Sequence, residues 1–288
     1  MLAAASRIVF WPPAACPGRD AQRWKGLSAV AKVVPSGDRR CHVAGFGIQR
    51  RRRSLRAGSA ELRSGPGFPE ARATAASLKS ALERADPGRV VYLSTIGARA
   101  RELNLLTQHT LIEQALGELP MPITFLRPAW FMENFRWDVA AARESGIIMS
   151  FLQPLNKAVP MVATADIGRE AAKLLQESWT GRRVVELEGP RRVTPDEVAN
   201  TFAEVLGRRV RMDAVPRETW EQLFRSQGMK NPTPRIRMLD GFNDGWIEFE
   251  NGDAGSRKGE VALKSVLQTL VEREGILPIP AAVPVRHN

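Results

Sequence analysis

The chain has 288 residues and a formal net charge of +11, and 43% of its residues are hydrophobic. Every apolar run is shorter than the roughly 18 residues that a membrane-spanning helix needs, so we expect a soluble globular protein without a membrane partner. Both cysteines lie within residues 1–66, so the rest of the chain has no disulfide framework. This cysteine usage is typical of a reducing, cytoplasmic setting.

The positive charge is concentrated in residues 1–66, which contain 13 of the 42 Lys and Arg residues but only 3 of the 31 acidic residues. Neither the strand period nor the helix period persists there, and we predict no regular element. The segment could be a targeting peptide, a basic arm for nucleic acid or anionic lipid, or the translation of a GC-rich gene in a shifted reading frame. We favour the third interpretation and expect disorder under all three.

From residue 67 onwards the hydrophobic pattern becomes regular, and residues 67–288 are predicted to form one α/β domain with a small C-terminal α+β subdomain at about residues 180–275. Strands are predicted at residues 90–95, 123–126, 147–151, 159–162, 184–187 and 210–215. Helices are predicted at residues 70–84, 103–119, 132–144, 166–177, 217–226 and 261–273, whereas residues 238–249 are read as an irregular, aromatic-rich segment.

The central part of this pattern is a strand, a helix and a second strand over residues 90–126. A strand–helix–strand unit of this length predicts parallel pairing with a right-handed crossover, hence a Rossmann-like parallel sheet with flanking helices. Ligands of such sheets bind beyond the carboxyl ends of the strands. Two segments are therefore expected to face one crevice, residues 94–97 and residues 127–134, and their hydroxyls, glycine, amide and aromatic side chains suit a flat heteroaromatic ring.

One local structure is specified in detail. Thr194, Pro195 and Glu197 have the spacing of a capping box, with proline at the first helical position, and Gly207 gives the stop signal. We therefore predict a helix that begins after Thr194.

Several other chemistries find no support in the sequence. The three histidines and two cysteines form no H-E-x-x-H or C-x-x-C motif, so no metal site is expected. There is neither a G-x-S-x-G elbow nor a P-loop. A nucleic-acid partner would depend on the arginine run alone, and such runs are more often simply exposed to solvent than involved in specific recognition.

Residues 91–98 (VYLSTIGA) and 124–134 (TFLRPAWFMEN), followed by residues 160–168 and 188–190, resemble the NmrA-like family over about residues 67–250. This family comprises atypical short-chain dehydrogenase/reductase proteins, among them NAD(P)H-dependent quinone reductases and catalytically silent redox sensors. The resemblance implies that the chain binds NADP or NAD, with NADPH favoured, and a small-molecule substrate. It is also compatible with a homo-oligomer.

The resemblance also implies site residues. The cofactor contacts would be made by Ser94, Thr95, Pro128, Ala129, Trp130, Phe131, Met132, Glu133 and Asn134. His109 would be the catalytic candidate, because many relatives have at this position the lysine of the Tyr-x-x-x-Lys pair. A histidine on an apolar helix stripe is, however, more often a satisfied core residue than an active group. Phe242 and Trp246 are candidates for substrate contact, although such aromatic side chains more often pack a small C-terminal subdomain. Arg127 could pair with a phosphate, yet an arginine at a strand end is more often a structural anchor to a carboxylate.

Two departures from the family pattern matter for function. The only tyrosine, Tyr92, lies within a predicted strand, so the usual general acid is missing. No G-x-x-G-x-x-G or G-x-G-x-x-G motif occurs, so the N-terminal part of the Rossmann sheet is expected to be missing or replaced. The expected function is hydride transfer from NAD(P)H to a quinone or similar flat electrophile. The alternatives are a non-catalytic redox-sensing regulator and an inactive product that lacks the pyrophosphate loop.

Overall fold

The structure is a computed structural model, and it describes residues 7–11, 30–34 and 67–275. The strands are β1 Arg7–Trp11, β2 Val30–Val34, β3 Arg89–Leu93, β4 Ile123–Pro128, β5 Trp130–Phe131, β6 Ile147–Ser150, β7 Met161–Val162, β8 Arg182–Glu188, β9 Arg211–Ala214 and β10 Arg257–Lys258. The α-helices are α1 Pro69–Ala85, α2 Thr107–Leu116, α3 Val139–Glu144, α4 Thr164–Gln176, α5 Pro195–Leu206, α6 Trp220–Ser226, α7 Thr233–Asp244, α8 Gly252–Gly255 and α9 Leu263–Gly275.

The main sheet has six strands in the order β10-β8-β4-β3-β1-β2. All neighbours pair in parallel except β1 and β2, which are antiparallel. The predicted Rossmann-like parallel sheet is therefore confirmed. The prediction of no regular element in residues 1–66 is wrong for β1 and β2. Since β2 runs antiparallel, this edge of the sheet is built differently from a series of parallel crossover units. The remaining predictions for residues 1–66 lie outside the described residues.

The side chains of β3 point alternately to the two faces of the sheet, and both faces are buried. Tyr92 points to the side of α1 and α2, where it packs in a cluster with Leu82 and Leu116. Val91 and Leu93 belong to the other cluster, which also contains residues of α4 and extends to α9. Helices thus cover both sides of the central strands and leave their carboxyl ends as the place where loops meet.

Several element boundaries differ from the predictions. Residues 132–144 form a 3-10 helix, Met132–Asp138, followed by the shorter α3. The segment read as irregular, residues 238–249, is helical up to Asp244 because it continues α7. The capping box is confirmed, since the Thr194 side chain accepts a hydrogen bond from the Glu197 N–H and the Glu197 side chain accepts one from the Thr194 N–H.

Two small parallel ribbons adjoin the main sheet. β5 pairs with β7, and β6 pairs with β9. Among the described residues no helix is long and apolar enough to cross a membrane. The same residues contain no group of three or more His, Cys, Asp and Glu side chains arranged to hold a metal ion.

Candidate functional site

The two strand-end segments meet. The backbone N–H of Ser94 donates to Leu126 O at 2.7 Å, and the N–H of Ile96 donates to Pro128 O at 2.8 Å. The parallel pairing of β3 with β4 therefore continues past the strands into the loops. Gly97 then turns the chain with a φ of +73°, a conformation that favours glycine. Residues 94–96 thus run beside residues 126–128 at the carboxyl ends of β3 and β4, and the loop after β4 starts from this point.

The loop after β4 is fixed by backbone hydrogen bonds to neighbouring elements. Ala129 N donates to Leu187 O at 2.9 Å, and Trp130 N donates to Pro160 O at 3.2 Å. Ala129 and Met132 are almost fully buried and anchor the loop in the core. Trp130 and Phe131 are half-buried, while Asn134 is exposed. The exposed parts of these side chains are what the loop can offer to a ligand.

The carboxylate of Glu133 has a structural partner. It accepts hydrogen bonds from Thr164 N at 2.8 Å and 3.0 Å and from Thr164 Oγ1 at 2.6 Å. Thr164 is the first residue of α4, whose first N–H groups have no partner within the helix. A carboxylate at this position satisfies such a donor and interacts favourably with the helix dipole. Glu133 therefore ties the loop after β4 to the start of α4.

A buried ionic cluster links the ends of β3 and β4 to α2. The guanidinium of Arg127 donates from Nε to Glu113 Oε1 at 2.9 Å and from Nη2 to Glu113 Oε2 at 2.6 Å. Its Nη1 donates to Glu250 Oε1 at 2.7 Å. The hydroxyl of Ser94 donates to Glu113 Oε1 at 2.5 Å. The interpretation of Arg127 as an anchor to carboxylates is confirmed.

Electrostatics in this cluster follow from burial and pairing. Burial opposes the positive charge of Arg127, but its hydrogen bonds and charge interactions with Glu113 and Glu250 outweigh this effect and raise its pKa. Burial likewise disfavours the charged form of Glu250, while Arg127 and Arg99 lower the pKa of that carboxyl. Glu186, which is buried beside them, has its pKa raised by desolvation. Arg127 therefore carries a permanent charge that is neutralised within the protein.

His109 lies on α2, and its ring contacts Tyr92, a residue of β3 whose side chain faces this helix. The hydroxyl of Tyr92 and Nδ1 of His109 are 3.0 Å apart. Burial lowers the pKa of His109 to about 4, although the charge of Glu113 acts in the opposite direction. Burial and the same carboxylate raise the pKa of Tyr92. At neutral pH both groups are uncharged, so they can exchange hydrogen bonds but do not supply a readily lost proton.

Phe242 and Trp246, the substrate candidates, lie close to the loop after β4. Phe242 is buried and meets Trp130 edge to face, with ring centroids 5.3 Å apart. Trp246 is half-buried, and its Cη2 would be 2.7 Å from a Cβ built on Gly241. Trp130 and Phe242 are in ring contact, and Trp246 lies beside Gly241, the residue before Phe242. We call these three side chains the aromatic group.

Two donors on the strand-end loops bear on whether a nicotinamide would fit. The indole Nε1 of Trp130 is buried without a hydrogen-bond partner. Among the described residues the hydroxyl of Thr95, which is half-buried, makes no hydrogen bond either. Free donors beside aromatic side chains fit the ring and carboxamide end of the dinucleotide. The sequence contains no glycine-rich motif that could bind the pyrophosphate of the dinucleotide.

Two cavities lie beside the ionic cluster, and the larger of them is lined in part by residues of α2. The larger, about 520 Å³, is lined among others by Arg99, Thr110, Phe125 and Val184. The smaller, about 180 Å³, is lined by residues of β8 and by Glu250 and Arg257. Neither is lined by residues 94–97 or 128–134.

Glu113, Glu250 and Glu186 belong to this region, although none of them was predicted from the sequence. The available signal was Arg127 itself, because an arginine within a buried strand requires a carboxylate partner. Which carboxylate pairs with Arg127 depends on tertiary packing, which cannot be read from residue patterns.

Comparisons with known proteins agree with this geometry. The chain is 36% identical over 91 residues to agroclavine dehydrogenase from Claviceps purpurea, covering 30% of this chain and 31% of that protein. It is 30% identical over 118 residues to an NAD(P)H azoreductase from Xenophilus azovorans, covering 41% of this chain and 40% of that protein. The matches thus span less than half the length of these relatives.

A solved structure shows the same fold. The NADPH-dependent quinone oxidoreductase of Escherichia coli, solved with NADPH, superposes with a TM-score of 0.59 over 72% of this chain and 74% of that chain, at 20% identity. A family model described as the NmrA-like family matches residues 90–244, more than half of the sequence. The chain therefore belongs to the NmrA-like family.

Proposed function

We propose that the chain binds NADPH or NADH at the carboxyl ends of β3 and β4 and passes a hydride to a quinone or a similar flat electrophile. The observation that carries this proposal is the hydrogen bond from Ile96 N to Pro128 O, because it keeps the two strand-end loops side by side. The names of the relatives, which include an NAD(P)H azoreductase and an NADPH-dependent quinone oxidoreductase, support the same reaction type.

In this proposal the cofactor supplies the hydride, and the protein binds and orients the two reactants. The exposed parts of residues 128–134 and the Thr95 hydroxyl would hold the nicotinamide end. Phe242 and Trp246 would bound the side from which the acceptor approaches. A quinone needs no protein acid, because its reduced form is a stabilised phenolate that solvent can protonate. The absence of a tyrosine at the usual position is therefore compatible with this chemistry.

His109 would act in its neutral form. Its Nδ1 is engaged with Tyr92, and a pKa of about 4 keeps the imidazole uncharged at neutral pH. We assign it the role of a hydrogen-bonding group near the ring rather than that of a proton donor. The homo-oligomer and the cytoplasmic setting expected from the sequence stay predictions.

Two alternatives remain as outcomes of the test. A non-catalytic redox sensor would bind NAD(P)H without turnover. A product lacking a functional pyrophosphate site would not bind NAD(P)H, and this alternative is based on the missing glycine-rich motif. Titration of the whole chain with NADPH and with NADH, followed through cofactor fluorescence, separates binding from no binding. Addition of a benzoquinone then separates the enzyme from the sensor through the loss of absorbance of the reduced cofactor.

A variant tests the location of the site. Thr95→Val removes one hydroxyl while the branched side-chain shape remains. If that hydroxyl contacts the cofactor, the Kd for NADPH should rise about tenfold, the equivalent of one hydrogen bond. Thr201→Val is the matched control, because the Thr201 hydroxyl donates to Glu197 O within α5. An unchanged Kd in Thr95→Val would contradict the placement of the nicotinamide at the end of β3.

A further inference from the structure

Residues 247–250, which we call the strap, cross the carboxyl ends of three neighbouring parallel strands. Ile247 lies against Gly97 after β3, since a Cβ on Gly97 would be 2.8 Å from Ile247 Cγ2. The Glu250 carboxylate accepts a hydrogen bond from Arg127 of β4. The Glu250 N–H donates to both carboxylate oxygens of Glu186 in β8, at 3.1 Å. The strap therefore covers the edge at which we place the cofactor.

Ile247 enters a slot that exists only because two residues lack side chains. Its side chain is 2% exposed and lies between Gly97 and Gly241. A Cβ on Gly241 would be 2.6 Å from Ile247 Cδ1, so neither glycine tolerates a larger residue while the strap is in place. The neighbouring Glu248 accepts two hydrogen bonds from Arg192, at 2.7 Å and 2.8 Å. Both apolar packing and ion pairs thus hold the strap.

The strap also fixes the aromatic group. Residue 247 follows Trp246 directly, and Ile247 N donates to Gly241 O at 3.0 Å, which closes the end of α7. Phe242 of α7 contacts Trp130 in the loop after β4. A displacement of the strap would therefore shift Trp246 first and Phe242 through the end of the helix.

The two carboxylates that bind Arg127 differ in exposure and in the number of hydrogen bonds, and the contact with Glu250 is the easier one to break. The Glu113 side chain is 10% exposed and binds the guanidinium through two nitrogens, whereas the Glu250 side chain is 41% exposed and binds through one. If Glu250 leaves, Arg127 is still neutralised by Glu113 and water can solvate Glu250. The large cost of an unpaired buried charge is then avoided.

We propose that Glu250 is a positioning residue that, through Arg127, holds the strap and its adjoining aromatic group at the strand ends, and that release of this ion pair opens the edge to a flat acceptor. The acceptor part of this inference rests on the proposed function. The opening itself does not, because it concerns only contacts within the protein.

Hydrogen exchange of the whole chain, read by mass spectrometry of peptides, tests the opening without any ligand. Glu250→Gln keeps the side-chain shape and removes the charge, so amide exchange in peptides containing residues 247–250 should become about tenfold faster while α5 stays unchanged. Glu221→Gln is the matched control, because Glu221 makes an exposed ion pair with Arg225 at 2.8 Å. Unchanged exchange over residues 247–250 in Glu250→Gln would overturn the inference.

Kinetics with NADPH and a benzoquinone test the effect on the acceptor. In Glu250→Gln the KM for the quinone should change at least threefold, because the strap adjoins Trp246, which we propose to bound the acceptor side. Faster exchange together with an unchanged quinone KM would overturn the positioning role. If the wild-type chain shows no turnover, the proposed function fails, whereas the exchange experiment still decides whether the strap opens.

Discussion

At the scale of single residues, Arg127 illustrates what a sequence can and cannot reveal. Its place at the end of a buried strand indicated an anchor to a carboxylate, and the structure provides two, Glu113 and Glu250. Glu113 is 14 residues away and Glu250 is 123 residues away. Pairing over such separations depends on how helices pack on the sheet, which hydrophobic periodicity does not determine. The type of interaction was therefore predictable and its partners were not.

His109 allows a prediction about stability and pH. Its pKa is lowered to about 4 by burial, against 6.5 for an exposed imidazole. Below pH 6.5 His109 becomes protonated in the unfolded chain but stays neutral in the folded chain. The free energy of unfolding therefore decreases as the pH falls from about 6.5 towards 4. At pH 5 this loss should be about 2 kcal/mol. Urea unfolding of wild type and His109→Gln at pH 7.5 and pH 5 measures it, and the variant should lack this loss.

The comparison with His109→Gln is needed because Asp138 acts in the opposite direction. Burial raises the pKa of Asp138 to about 7. A carboxyl with a raised pKa takes up its proton earlier in the folded state, so its contribution to stability increases as the pH falls below 7. The wild-type curve contains both effects, whereas the difference between the two proteins isolates the imidazole. Equal slopes in wild type and variant would show that His109 is not desolvated.

At the scale of elements, local signals decided which helices could be predicted. The helix after Thr194 was specified completely, because a capping box acts within four residues and needs no tertiary contact. Helix α7 was missed. Its interior Gly241 reduces helix propensity, yet Ile236, Leu239 and Phe242 recur every three residues and are buried against the core. Tertiary packing outweighed propensity there, as it often does for weakly helical segments.

The cap itself gives a quantitative prediction. Thr194→Ala removes the acceptor for the Glu197 N–H, which is 3.1 Å from Thr194 Oγ1, and should lower the free energy of unfolding by about 1 kcal/mol. Thr201→Ala, in the interior of the same helix, is the control, because alanine favours a helix at least as well as threonine. Urea denaturation of the three proteins measures the differences. Equal losses in both variants would show that the capping hydrogen bond contributes nothing of its own.

At the scale of the whole molecule, the parallel centre of the sheet and the family were predictable, whereas one edge was not. The parallel pairing of β3 with β4 was predicted from two hydrophobic strands linked by a helix, whereas the place of β8 beside β4 was not. Residues 1–66 carry no persistent period, so nothing in them indicated that Arg7–Trp11 would pair with β3 and Val30–Val34 with β1. That pairing is a backbone interaction, and backbone hydrogen bonds depend little on side-chain pattern.

The pairing of β1 with β3 leads to a prediction about the association state and thermal stability of the full chain. In the full chain β1 pairs with β3 in parallel from Arg7 opposite Arg89 to Phe10 opposite Tyr92. A chain starting at residue 67 would leave β3, whose residues 90–93 are buried, as an unpaired edge. Exposed hydrophobic edge strands pair with other chains, so the truncated protein should self-associate and melt at a lower temperature than the full chain.

Size-exclusion chromatography with light scattering and thermal unfolding would measure both effects. A chain without residues 276–288 is the matched control, because it is also shortened at a terminus but keeps β1 beside β3. It should behave as the full-length protein does. If the chain starting at residue 67 instead has the same oligomeric state and melting temperature as the full chain, neither β1 nor β2 is needed for the stability of the sheet. Its stability would then come from the family-matched region, residues 90–244, and the helices packed on it.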